Sequence, residues 1–140
     1  MTTIDNPTVP FTRPIPGHLL PGRKMVVKGA ISPRSDRFSI NLKCGSEDIA
    51  FHFNPRFGEQ KIVRNSYISG KWGHEEISGG MPLVRGEHFE AQFECNEDNF
   101  SVELNGKHFC NYSYRIPIHK ITHVNVDGDV TISQITFVDA

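Results

Sequence analysis

Apolar side chains recur at every second position through much of this chain, a spacing that fits strands and leaves little room for helices. Phe38, Ile40, Leu42 and Cys44 alternate with Arg37, Ser39, Asn41 and Lys43. Phe89, Ala91, Phe93 and Cys95 alternate with His88, Glu90, Gln92 and Glu94, and Phe100, Val102 and Leu104 with Ser101, Glu103 and Asn105. Met25, Val27 and Ile31, after Pro21-Gly22, continue the pattern. Successive side chains of a strand point to opposite faces, so each segment reads as half-buried, apolar side towards a core. No window carries a convincing helical period, the nearest candidate being a single turn around Pro117 to Lys120. Short amphipathic strands with turn signals at regular spacing predict an all-β chain of two packed antiparallel sheets, a sandwich or jelly roll.

The punctuation agrees. Asn105-Gly106 supplies the positive φ values of a two-residue hairpin turn, and Asp127-Gly128-Asp129 reads as another such turn before Val130 and Ile132. The apolar phase then slips to Ile135 and Phe137, which predicts a β-bulge near Ser133. Pro7, Pro10, Pro14, Pro16 and Pro21 surround Val9 and Phe11, so residues 1–22 read as an extended arm or edge strand. The 140 residues are one domain's worth of chain, 1–140, with no internal repeat, low-complexity tract or linker.

Charge and cysteine usage exclude several classes of partner. The formal net charge is -1 and Lys and Arg are scattered, which argues against a nucleic-acid footprint or an acidic-membrane patch. No apolar run is long enough to insert in a membrane, and no signal-peptide pattern opens the sequence, so a soluble cytoplasmic chain is expected, with non-classical secretion left open. Cys44, Cys95 and Cys110 lack metal-ligand spacing and are expected to be reduced thiols in the core.

Function is written in Ile49 to Phe57, I-A-F-H-F-N-P-R-F. Ile49, Phe51, Phe53 and Pro55 read as its buried side, and His52, Asn54 and Arg56 as a polar row on the other. At about 3.3 Å per residue the row spans roughly 13 Å, enough for one sugar ring and part of a second. Arg56 offers a planar fork of donors, Asn54 a donor and an acceptor, and His52 a ring nitrogen of either kind. Further on come Val63-Arg64-Asn65 and Trp72-Gly73-His74-Glu75, with Trp72 the only Trp and without alternating apolar neighbours, which favours partial exposure. An indole can stack on the C–H face of a pyranose while charged groups beside it take the hydroxyls.

In these three elements, H-F-N-P-R, V-x-N and W-G-x-E, the chain resembles the galectins, the β-galactoside-binding lectins, and the resemblance extends over nearly the whole sequence. It implies a galectin and legume-lectin type of sandwich, a single carbohydrate-recognition domain, β-galactoside glycans as partners, and neither cofactor nor catalysis. By the same resemblance, His52, Asn54 and Arg56 hold the axial 4-hydroxyl of galactose and Asn65 and Glu75 the 6-hydroxyl. Trp72 then stacks on the ring, with Val63 as an apolar wall beside it. The chain departs from the family two residues after Glu75, where galectins usually carry an Arg and this sequence has Ile77. The second-sugar subsite is therefore expected to be altered, with Lys71, Arg64 or His74 as candidates for the missing cation. A homodimer is expected through sheet edges, with the N-terminal arm and the strand around Thr131 to Val138 as the edges. The runner-up is a galectin-like structural or protein-interaction module whose sugar site has decayed.

Other chemistries fit less well. Glu75 and Glu76 invite a glycosidase reading, but adjacent strand residues face opposite ways and cannot readily flank one glycosidic bond. His119 and His123 lack a third ligand for a metal. Two sequons, Asn99-Phe100-Ser101 and Asn111-Tyr112-Ser113, are expected to stay unmodified on a cytoplasmic chain.

Overall fold

Each alternating segment of the sequence is a strand in the computed structural model, which describes residues 1–140. The first sheet runs β1 (Thr2–Asp5), β12 (Val130–Val138), β3 (Lys24–Ile31), β8 (His88–Cys95), β9 (Asn99–Leu104), β10 (Lys107–Ser113). The second runs β2 (Phe11–Pro14), β11 (His123–Gly128), β4 (Phe38–Cys44), β5 (Asp48–Arg56), β6 (Lys61–Ile68), β7 (Lys71–Trp72). All neighbours pair antiparallel, and the one helical feature is a 3-10 turn at Ile118–Lys120. No helix is long and apolar enough to cross a membrane.

The inner faces of the two sheets share one cluster of 31 buried residues, so a single core supports both. Its centre bridges the sheets: Phe51 of β5 stacks on Tyr112 of β10 at 4.4 Å and on Phe100 of β9 at 5.1 Å. Such aromatic pairs contribute about 0.5–1.5 kcal/mol each beyond the area they bury. They anchor β5 directly behind His52. Cys95 and Cys110 lie buried in this core and Cys44 at its margin, all as free thiols. Burial raises the thiols of Cys95 and Cys110 to about 11, which keeps them protonated and inert at neutral pH.

Turn signals hold in detail, with instructive exceptions. Asn105 and Gly106 take φ of 52° and 83° and join β9 to β10 as a hairpin, and the register of β12 slips between Ile132 and Gln134, around Ser133. Asp127-Gly128-Asp129, however, makes no hairpin: β11 and β12 lie in different sheets, so this turn is a corner between layers. Gly128 is required there, because at φ 100° a Cβ would sit 2.6 Å from Phe38 Cα. The N-terminal arm supplies two edge strands, one to each sheet. It thereby covers the C-terminal strand, and β12 lies between β1 and β3 instead of at an edge. Ile49 also departs from expectation. A bulge between Ile49 and His52 shifts its phase, so Ala50 and Phe51 take the buried positions and Ile49, opposite Tyr67, joins the outer face.

Candidate functional site

The outer face of the second sheet is polar because β5 lies in its middle with its apolar residues turned to the core. Cross-strand partners share a face, and the pairs His52↔Asn65 and Asn54↔Val63 set β5 and β6 side chains next to one another. β7 brings Trp72 opposite Tyr67 on the same face. His52, Asn54, Arg56, Val63, Asn65, Trp72 and Glu75 all line one open cleft of about 520 Å³. Arg37, Phe38, Ser39, Gly73, Asp127 and Gly128 complete its lining.

Protein contacts fix the orientation of the polar row before any ligand arrives. Asn54 is 4% exposed, and its Nδ2 donates to Phe38 O at 2.7 Å. Its Oδ1 accepts from Arg56 Nε at 2.8 Å, which turns the rest of the guanidinium along the cleft. Arg56 Nη1 lies 3.4 Å from Glu59 and Nη2 3.9 Å from Glu75. His52 Nδ1 sits 2.6 Å from Asn41 Oδ1. Burial and then the charge of Arg56 lower the His52 pKa from 6.5 to about 4, so the ring is neutral at pH 7. These groups present donors from Asn54 and Arg56 and one imidazole nitrogen to the same volume.

Trp72 forms the apolar wall. Its indole is 51% exposed, tilted 53° against His52 at 4.7 Å and edge-on to Tyr67 at 5.1 Å. An aromatic face open beside a polar row is what an amphipathic ring needs.

Asn65 is held from three sides. Its Oδ1 accepts from Ser66 N at 2.8 Å and from Arg115 Nη1 at 2.8 Å, and its Nδ2 donates to Gly73 O at 2.9 Å. Arg115 also reaches His74 O at 2.7 Å and Glu76 Oε2 at 3.0 Å. Gly73 leaves it space, since a Cβ there would meet Arg115 Nη1 at 2.7 Å. Sequence reasoning missed Arg115: it lies in a segment without a local motif, 50 residues from Asn65.

The expected substitutes for the missing cation at position 77 fall elsewhere. Arg64 stands opposite Phe53 on the inner face, 2% exposed, donating to Ile62 O and Ser78 O with Phe109 beneath its guanidinium. Lys71 pairs with Ile68, on the side of β7 away from Trp72. His74 is exposed and meets Arg115 through its carbonyl, and Ile77 is 48% exposed; neither lines the cleft. The charge beside Arg56 is instead organised by Glu59, which lies 3.3 Å from Lys61 and 3.4 Å from Arg37. Its hydrogen bond to Lys61 and the nearby Arg56 hold its carboxyl below the usual range.

Comparison with known proteins decides the family. The model of the family described as galactoside-binding lectin matches residues 10–137. The chain belongs to the galectins. It is 43% identical to rat galectin-4 over 136 residues, 94% of this chain and 42% of that protein. It is 34% identical to human galectin-7 over 130 residues, 91% of this chain and 96% of that one. The crystal structure of Caenorhabditis elegans galectin LEC-6 superposes with a TM-score of 0.88 at 28% identity, covering 96% of this chain and 94% of that one. The chain spans less than half the length of galectin-4 and its similar relatives. Membership places it in a family of carbohydrate-binding, non-catalytic lectins, on the antiparallel sandwich read from the sequence.

Proposed function

We propose that this galectin domain binds terminal or exposed β-galactosides, one galactose in the cleft of β5, β6 and β7. The observation that carries the reading is the convergence of His52, Asn54 and Arg56 on one volume walled by the open indole of Trp72. An axial 4-hydroxyl leaves one pyranose face continuous and apolar for the indole and aims its oxygen at the polar row. A glucoside, with that hydroxyl equatorial, leaves those groups unpaired, at about 1–3 kcal/mol for each one buried. Asn65, with one N–H of Nδ2 uncommitted, and Glu75 take the 6-hydroxyl. Val63, 1% exposed opposite Asn54, is the wall beneath.

The galactose subsite is the stronger half. With Ile77 in place of a cation and Arg64 turned inward, the second ring loses a charge-assisted hydrogen bond, and binding rests on galactose itself. The alternative, a protein-interaction module with a decayed site, is disfavoured by the pre-oriented state of Asn54, Arg56 and Asn65. Retention on an immobilised galactoside with elution by lactose supports the lectin reading; passage through the column overturns it. A homodimer would use β1, β10, β2 or β7, the edges the fold leaves open, and light scattering across the micromolar range decides it.

A further inference from the structure

We infer that the edge strand β2 dictates which ring nitrogen of His52 carries the hydrogen, through a one-way relay of two side-chain amides, making Asn125 and Asn41 positioning residues of the sugar site.

The relay lies at one level across four strands, where Thr12↔Asn125, Asn125↔Asn41 and Asn41↔His52 are direct cross-strand partners. Its polarity is set at the outer end, because the backbone carbonyl of Phe11 can only accept. Asn125 Nδ2 lies 2.9 Å from Phe11 O and 3.1 Å from Thr12 Oγ1, so the amide turns its NH₂ to β2 and its oxygen to β4. That oxygen accepts from Asn41 Nδ2 at 2.8 Å. Asn41 is 6% exposed and must then present Oδ1 to His52 Nδ1, 2.6 Å away. An amide oxygen cannot donate. Nδ1 therefore carries the hydrogen, and Nε2 keeps its lone pair. Reversing either amide would set two acceptors or two donors face to face. Ser39 Oγ, 3.2 Å from Asn41 Nδ2, is a hydroxyl that serves either orientation and so does not choose.

The consequence falls on the ligand. A sugar hydroxyl has one hydrogen to give and two lone pairs. Asn54 and Arg56 offer donors, so the polar row is best matched to one hydroxyl when His52 accepts. With the hydrogen on Nε2 all three side chains of the row would turn donors to that hydroxyl, and the acceptor left among them would be Asn54 Oδ1, already engaged by Arg56 Nε.

Two-bond ¹H–¹⁵N spectra of the His52 ring in the ligand-free, ¹⁵N-labelled protein at pH 7 read the tautomer directly. Wild type is expected to show a protonated Nδ1 and a bare Nε2. Asn125→Leu frees the Asn41 amide, so the Nε2-protonated form becomes populated and lactose affinity falls about tenfold, the worth of one hydrogen bond. Asn125→Asp gives up the bond to Phe11 O but keeps an acceptor towards Asn41, with the Thr12 hydroxyl able to donate to its other oxygen, and restores the wild-type ring pattern. Asn125→Ala replaces the Leu variant should the latter fail to fold. A wild-type ring with its hydrogen on Nε2, or a Leu or Ala variant with an unchanged ring, overturns the relay. A changed tautomer with unchanged affinity overturns its role in binding. The affinity arm rests on the galactoside reading; the ring spectra do not, so absence of lactose binding in wild type is distinguished from failure of the relay.

Discussion

Arg115 holds Asn65 from behind the cleft: Nη1 donates to Asn65 Oδ1 at 2.8 Å while Nη2 bonds both His74 O and Glu76 Oε2. One guanidinium thus ties a cleft-lining residue of β6 to the segment that carries Glu75. Its remaining face lies on Tyr112, 5.0 Å from the ring centre. Arg115→Leu should lower lactose affinity by about tenfold or more and destabilise the fold by about 1.5–3 kcal/mol, as loss of charged hydrogen bonds does. Arg115→Lys should rescue little, since a point ammonium cannot reproduce a planar fork on three acceptors. Calorimetric titration and denaturant unfolding check both; a Leu variant that binds normally would show Asn65 to be held without Arg115.

Trp72 is half-exposed and touches only His52 and Tyr67 among the aromatic rings. Trp72→Ala should therefore abolish measurable galactoside binding while shifting stability by no more than about 0.5 kcal/mol. Binding within a few-fold of wild type would mean that the indole is not the stacking platform.

His52 gives a pH dependence. Its pKa in the fold is about 4 against 6.5 for a free ring, so unfolding takes up a proton between those values. Stability is then lost as pH falls from about 6.5 towards 4, because the unfolded state binds more protons there. Galactoside binding should hold from pH 7 to about 5 and fail as the ring gains its second proton near 4. An NMR titration of the His52 ring protons should have its midpoint near 4; a midpoint near 6.5 would contradict the burial of this side chain.

Ile77 stands where the resemblance leads one to expect an Arg, flanking Glu76 on the far side from Glu75. Glu75 relies on Arg56 at 3.9 Å for compensation, and Ile77 brings no cation to this segment. Ile77→Arg should raise lactose affinity by about tenfold or more while barely moving methyl β-galactoside. Equal gains for both would place the effect in the galactose subsite, and no gain would show that the role is already filled.

Local pattern made much of this legible, and tertiary placement made the rest opaque. Period-two alternation located the strands, and the slip after Ile132 located the bulge, because both are recorded in neighbouring residues. His52, Asn54 and Arg56 could be read for the same reason, since their face follows from strand phase, and Trp72 from its lack of alternating apolar neighbours. Ile49 misled, since a bulge changes phase without changing composition. Arg64 was misjudged although its position between Val63 and Asn65 puts it on the inward face. The edge position assigned to β12 failed because pairing with β1 joins residues over 120 positions apart. Arg115, Asn125 and Glu59 acquire meaning only through partners on other segments, which no local motif announces.

The most direct test of the account is a calorimetric titration of the wild-type domain with lactose and with cellobiose, disaccharides that differ only in the orientation of the terminal 4-hydroxyl. The site of His52, Asn54 and Arg56 predicts saturable lactose binding and at least about tenfold weaker cellobiose binding, because the epimer leaves buried donors unpaired. Equal affinity for the two sugars, or cellobiose the tighter, would contradict it.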